Sequence, residues 1–136
     1  MIEAVNRQRK RKIDTKAWET FAARTADAIG HHDSSATIAF VSDKTIRQLN
    51  RHFRGVDKAT DVLSFPAEDD ANLGDIAISV ETAVAQAKEN GLTFEGEVAQ
   101  LILHGLLHLS GYDHDTDNGE MNRLELRLRR KLKIQD

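Results

Sequence analysis

Apolar positions recur along this chain with two periods. Residues 2–5 and 36–42 are short runs predicted as strands, the second carrying the β-formers Thr37, Ile38, Phe40 and Val41. Residues 61–65 alternate imperfectly and stop at Pro66, the single proline. Residues 73–80 alternate with period two through Ile76, Ile78 and Val80, which predicts a further strand. Helical spacing takes over elsewhere. Asp14 is placed to cap a helix reaching about Ile29, with Trp18, Phe21, Ala22, Thr25 and Ile29 on one face. Asp43 is expected to cap a second helix whose apolar positions are Ile46, Leu49 and Phe53. Residues 81–90, ended by Gly91, predict a third. Asp117 and Glu120 form a D-x-x-E variant of the capping box, opening a last helix that turns Met121, Leu124, Leu128 and Leu132 inward.

The segment from Thr93 to Ser110 departs from this amphipathic pattern. Thr93 is a helix cap, Glu95 and Glu97 occupy the first turn, and Val98, Leu101, Ile102, Leu103, Leu106, Leu107 and Leu109 surround the axis. A helix apolar nearly all round is buried. The expected fold is therefore α+β: a single domain, residues 1–136, with one mixed β-sheet, packed helices and a central buried helix. Its polar residues Glu97, Gln100, His104 and His108 share one stripe. Burying such groups without partners costs several kcal/mol, and a metal with its surrounding ligands would satisfy them.

The histidines give that expectation chemical content. His104, His108 and His114 are three of six histidines and fall within eleven residues. Residues four apart on a helix are neighbours, so the first two imidazoles can share one ion. Gly111 can take the left-handed conformation that ends a helix and turns the chain back, bringing His114 round as a third nitrogen. Three protein ligands leave a position for water, the arrangement of catalytic rather than structural zinc. Nickel or copper would also accept this set. The spacing matches the metzincin pattern H-E-x-x-H-x-x-G-x-x-H except at Gly105, where the peptidases carry the Glu that serves as general base. A metzincin-like peptidase is accordingly disfavoured. His31 and His32 read as solvent-facing loop residues.

Composition narrows the classes further. The chain has 136 residues, enough for one domain with a real core. It has no cysteine, so disulfides and thiolate ligands are excluded. No run approaches the ~18 apolar residues of a membrane span, and the charged N-terminus is not a signal peptide; a cytoplasmic protein is expected, with no membrane partner. The net charge of −3 is unevenly spread. Residues 1–16 and 121–136 each carry +4, and the stretch between them −11. The basic ends suit a polyanion or simply solvated tails. Within the acidic middle, Lys44, Arg47, Arg51 and Arg54 form a cationic ridge on the second helix, with Lys58 just beyond Gly55. It is either a phosphate-binding surface or a solvated helix face.

Several segments in one order resemble the YbeY family of bacterial rRNA maturation factors with single-strand-specific endoribonuclease activity. They are Leu49-Asn50, Phe53-Arg54-Gly55-Val56-Asp57-Lys58, Thr60-Asp61-Val62-Leu63-Ser64-Phe65-Pro66, Leu73-Gly74-Asp75-Ile76, the run from His104 to His114, and Met121 with Glu125. Ala59 stands where the family usually has Pro. The resemblance implies a zinc-dependent endoribonuclease acting in small-subunit rRNA maturation and ribosome quality control. It implies single-stranded ribosomal RNA and the ribosome or its proteins as partners, and no organic cofactor. By matching position it makes His104, His108 and His114 the metal ligands and Arg54 the residue needed for activity. Zinc lowers the pKa of bound water to about 7, and an arginine can stabilise developing phosphate charge. Asp61, Ser64 and Asp75 would line the site, or else satisfy strand ends and a turn. Tyr112 and Asp113 would orient ligands, or form the turn itself. A ribosome-assembly factor without catalysis, its metal only securing the fold, is the alternative reading.

Overall fold

The computed structural model describes residues 1–67, 69, 71–112 and 117–135. Chain order runs β1 (Ile2–Asn6), α1 (Thr15–Ile29), β2 (Ser35–Val41), α2 (Asp43–Arg54), β3 (Val62–Pro66) and β4 (Asn72–Ser79). Three helices follow: α3 (Val80–Asn90), α4 (Phe94–Leu109) and α5 (Glu120–Lys131). The strands form one mixed sheet in the order β1-β2-β4-β3. β1 and β4 both run parallel to β2, while β3 is antiparallel to β4 and closes one edge. Proline at the end of this edge strand removes a donor the sheet does not need there. The expected α+β architecture is what the chain adopts.

Side-chain alternation sorts the two faces. Ile76 and Ile78 of β4, with Ala36, Ile38 and Phe40 of β2, join the large core cluster shared with α1 and α4. Leu63 and Ala77 point the other way and pack with Ile46 of α2. Helix α4 is apolar all round because it is covered twice. Ile102, Leu106 and Leu109 face the sheet, and Ala99, Leu103 and Leu107 face Met121, Leu128 and Leu132 of the C-terminal segment. Each fully buried Leu or Ile side chain contributes about 1.5–3 kcal/mol relative to exposure. The helix is thereby fixed firmly as a platform for whatever projects from its remaining stripe. No helix among the described residues is long and apolar enough to cross a membrane.

Several boundaries differ from the sequence expectation for identifiable reasons. Ser42, not Asp43, caps α2 through Thr45 N–H, and Ser79 caps α3, which starts at Val80. Asp43 is engaged instead by the hydroxyls of Ser79 and Thr82 at 2.5 and 2.6 Å, a tertiary partnership that local pattern cannot report. At α5 the N-cap position is Gly119, without a side-chain cap. The Asp117 carboxylate still accepts from Gly119 and Met121 N–H, and Glu120 reaches back to Asn118 N–H. Phe53, read as an apolar position of α2, is largely exposed. Leu124 is only partly buried.

Candidate active site

The polar stripe of α4 divides in two. Near its N-terminus Glu97 is buried and accepts from Asn90 Nδ2 at 3.0 Å, and Gln100 donates to the Gln135 carbonyl. Protein partners satisfy these two residues. One and two turns further along, His104 and His108 are half-buried with their Nε2 atoms 3.0 Å apart. The ring centroids are 4.5 Å apart and the planes cross at 73°. Two nitrogens on a tetrahedral zinc, each bonded at about 2.0–2.1 Å, lie roughly 3.3 Å apart. The pair is therefore set close to the spacing one shared ion requires.

The tautomer is organised from α5. Glu125 is buried, and its Oε1 lies 3.1 Å from His104 Nδ1. A proton on Nδ1 directed at this carboxylate would leave the lone pair of His104 at Nε2, facing His108. Such carboxylate–histidine contacts orient metal-binding imidazoles and raise their basicity. Arg129, one turn beyond, places a guanidinium nitrogen 4.0 Å from the same carboxylate oxygen. Sequence reading gave Glu125 no role. A signal was available: Met121, Glu125, Leu128 and Leu132 share the inward register of α5, and a carboxylate among buried apolar residues needs a partner.

The third expected ligand, His114, lies outside the described residues, as does Asp113. Among the described residues no set of three His, Asp or Glu side chains forms a metal site. The spacing of the His104 and His108 Nε2 atoms, with the Glu125 contact behind His104, is compatible with one shared ion. Gly111 takes φ +97° just past α4, where its N–H and that of Tyr112 satisfy the carbonyls of His108 and Leu107. This ends the helix in the way the sequence suggests.

Arg54 faces the same space. A cavity of about 520 Å³ is lined by Arg54, Thr60, Asp61, Val62, Leu63, Ser64, Pro66, His104 and His108. Arg54 comes from the C-terminal end of α2, where Gly55 turns the chain in a left-handed conformation. Ser64 reaches the cavity because it pairs with Ile76 and so projects from the α4 side of the sheet. Asp61 lines it too, although its Oδ1 also accepts from Val62 N–H at 2.8 Å, closing the turn into β3.

Other sequence-predicted residues are not brought to this cavity. Asp75 pairs with Phe65 in the β3–β4 register, on the face turned away from α4, and is exposed. Lys44, Arg47 and Arg51 line a separate surface depression with Gln48 and Asp57. Arg47 there donates to both oxygens of Asp57, at 2.8 and 3.2 Å. This pairing holds the Asp57 carboxyl below its ordinary pKa and raises that of Arg47. Arg47 thus already has an anionic partner. Lys58 is exposed, and its carbonyl accepts from Asn50 Nδ2. His32 is exposed as expected. His31 is not solvent-facing: it is half-buried, with Nε2 3.0 Å from the hydroxyl of Ser110.

Gly105 has a steric explanation. A Cβ built there would lie 2.9 Å from Ile76 Cδ1 and 3.2 Å from Cγ2. The position faces the sheet, and a side chain there would require Ile76 to shift.

Comparison with known proteins finds relatives that match most of the chain. A family model described as Endoribonuclease YbeY matches residues 3–133. The chain is 47% identical over 122 residues to Endoribonuclease YbeY of Koribacter versatilis, covering 90% of this chain and 80% of that protein. It is 48% identical over 104 residues to the Nautilia profundicola protein of the same name, covering 75% of each. A solution structure of a Thermotoga maritima protein superposes with a TM-score of 0.69 at 29% identity, covering 97% of this chain and 89% of that one. With its fold, its matched length and these relatives together, the chain belongs to the Endoribonuclease YbeY family.

Proposed function

We propose that this chain is a zinc-dependent, single-strand-specific endoribonuclease acting in the maturation of small-subunit ribosomal RNA and in ribosome quality control. The observation that carries the reading is the shared cavity, where Arg54 and Ser64 from the α2–β3 side face His104 and His108 from α4. His104, His108 and His114 are the proposed ligands, with nickel or copper able to substitute. When bound, zinc supplies Lewis-acid polarisation and lowers the pKa of water at the site. The chain's own residues do the rest. Glu125 keeps the His104 proton on Nδ1 and the ring in place. Arg54, for which no carboxylate partner is found among the described residues, presents its guanidinium to the phosphate as negative charge develops on its oxygens. Ser64 offers a hydroxyl to the same group. The exposed cations Lys44, Arg51 and Lys58 extend the electrostatic path for the RNA beyond the cavity.

A peptidase has no support here, since Gly105 supplies no general base. The test is cleavage of a single-stranded RNA by wild type, Arg54→Ala and His104→Ala, with zinc content measured on each. Loss of cleavage with zinc retained in Arg54→Ala, and loss of both in His104→Ala, is expected. Wild-type cleavage by either variant would overturn the assignment.

A further inference from the structure

Phe53 is the large apolar side chain of α2 that the core does not take up. Ile46 is fully buried and Leu49 packs on the same cluster, whereas Phe53 keeps 60% of its surface exposed. A single exposed apolar residue is ordinary; the setting of this one is not. Its ring meets Phe65 at 5.1 Å between centroids with planes at 63°. It meets His52 at 4.7 Å and 90°. Both contacts have the edge-to-face geometry that holds an aromatic ring in place. Phe65 is in turn anchored against Val41, Ile46, Leu63 and Ala77, so the exposed ring is braced from the sheet.

Its position relates it to the cavity. Phe53 directly precedes Arg54, which lines the cavity holding His104 and His108, while Phe65 projects from the opposite face of β3 to Ser64, so the ring stands on the α2 side of the edge strand, outside the cavity. Exposed cations flank it in sequence at Arg51, Arg54 and Lys58. A braced, solvent-facing aromatic ring beside cations that track a phosphate backbone is how single-stranded nucleic acid is commonly gripped. An unpaired nucleotide can turn its base onto such a ring, whereas a base within a duplex has its faces covered by its neighbours.

We propose that Phe53, braced by Phe65 and His52, is a stacking platform for an unpaired base of the RNA next to the phosphate held at Arg54. It thereby contributes to the choice of single-stranded over double-stranded substrate. This rests on the ribonuclease reading above and adds a specificity-determining residue to it.

The test uses the full-length protein and a mixed-sequence single-stranded RNA of roughly 12 nucleotides, within the footprint of single-strand binders. The RNA carries one 2-aminopurine, and its duplex with the complementary strand is measured beside it. Phe53→Ala should bind the single strand on the order of 10-fold or more weakly, through a raised KM with kcat little changed. Its affinity for the duplex should be unaltered. Phe53→Trp should retain affinity and quench 2-aminopurine emission as wild type does, and Phe53→Leu should not. Because the ring is largely exposed, Phe53→Trp and Phe53→Leu should unfold near wild type, and Phe53→Ala slightly below it, by the loss of its edge contacts alone.

A wild-type protein that neither binds nor cuts the single strand would overturn the underlying ribonuclease reading. Wild-type activity with unchanged affinity in Phe53→Ala would overturn the platform alone and leave the exposed ring to a protein partner. Full rescue by Phe53→Leu, or equal losses for single strand and duplex, would also overturn the platform.

Discussion

Replacing Glu125 should weaken metal binding from a position that touches no metal. The carboxylate is buried and lies 3.1 Å from His104 Nδ1, so it fixes both the proton and the plane of the ring. Glu125→Gln preserves the shape and an acceptor oxygen but removes the charge. A charge-assisted hydrogen bond is roughly twice as strong as a neutral one. Loss of a carboxylate that orients a metal-binding histidine commonly costs about 10–100-fold in affinity, equivalent to about 1.4–2.8 kcal/mol. Glu125→Gln belongs near the lower end of that range. Glu125→Ala should reach the upper end, because it also leaves the Nδ1–H without this acceptor, at about 1–3 kcal/mol for a buried donor. Competition for zinc against a chromophoric chelator measures the affinities, and thermal unfolding of the metal-free variants separates loss of fold from loss of site. Zinc affinity equal to wild type in both variants would refute the reasoning, since His104 would then be oriented without Glu125.

Further expectations concern the cavity, the sheet contact and the surface. Arg54→Ala should keep its zinc and bind RNA with modest loss while kcat falls roughly 10²-fold, and Arg54→Lys should restore little because an ammonium cannot reproduce the planar fork; single-turnover cleavage measures both. Gly105→Glu should lower stability by at least about 3 kcal/mol, forcing a carboxylate against Ile76, and should confer no peptide cleavage; denaturant unfolding and a peptide assay check the two parts. Neutralising Lys44, Arg51 and Lys58 should flatten the salt dependence of single-stranded RNA binding by roughly 0.7 in log–log slope per phosphate contact. Arg47→Ala should change that slope least, its guanidinium being held by Asp57.

How much of this was legible in sequence depended on whether an interaction is local. The strands and helices follow from periodicity, and the all-round apolar character of residues 93–110 marks α4 as buried, as it is. Neighbouring His104 and His108 on that helix, and the turn at Gly111, are likewise consequences of local spacing. The alternation of β4 already separates Asp75 from Ile76 and Ile78, so its distance from the histidines could have been read from parity. What stayed hidden crosses between elements. Local pattern makes Asp43 a cap, whereas its partners, Ser79 and Thr82, are far along the chain. The Arg47–Asp57 pair spans the Gly55 turn, and a ridge drawn on one helix does not include it. Glu125 acquires meaning only when α5 lies on α4. The reason for glycine at 105 is visible only once α4 meets Ile76, and the bracing of Phe53 only once β3 brings Phe65 beneath it.

The most direct test of the central claim combines metal dependence with one ligand variant. Cleavage of a single-stranded RNA is measured for wild type and His108→Ala as purified, after chelation, and after zinc is restored, with His32→Ala as control because His32 is exposed and lines none of the cavity. Wild type and His32→Ala should cut RNA, stop on chelation and recover with zinc, while His108→Ala retains little zinc and does not cut under any of the three conditions. Cleavage at the wild-type rate by His108→Ala, or by the fully chelated wild-type protein, would contradict the account.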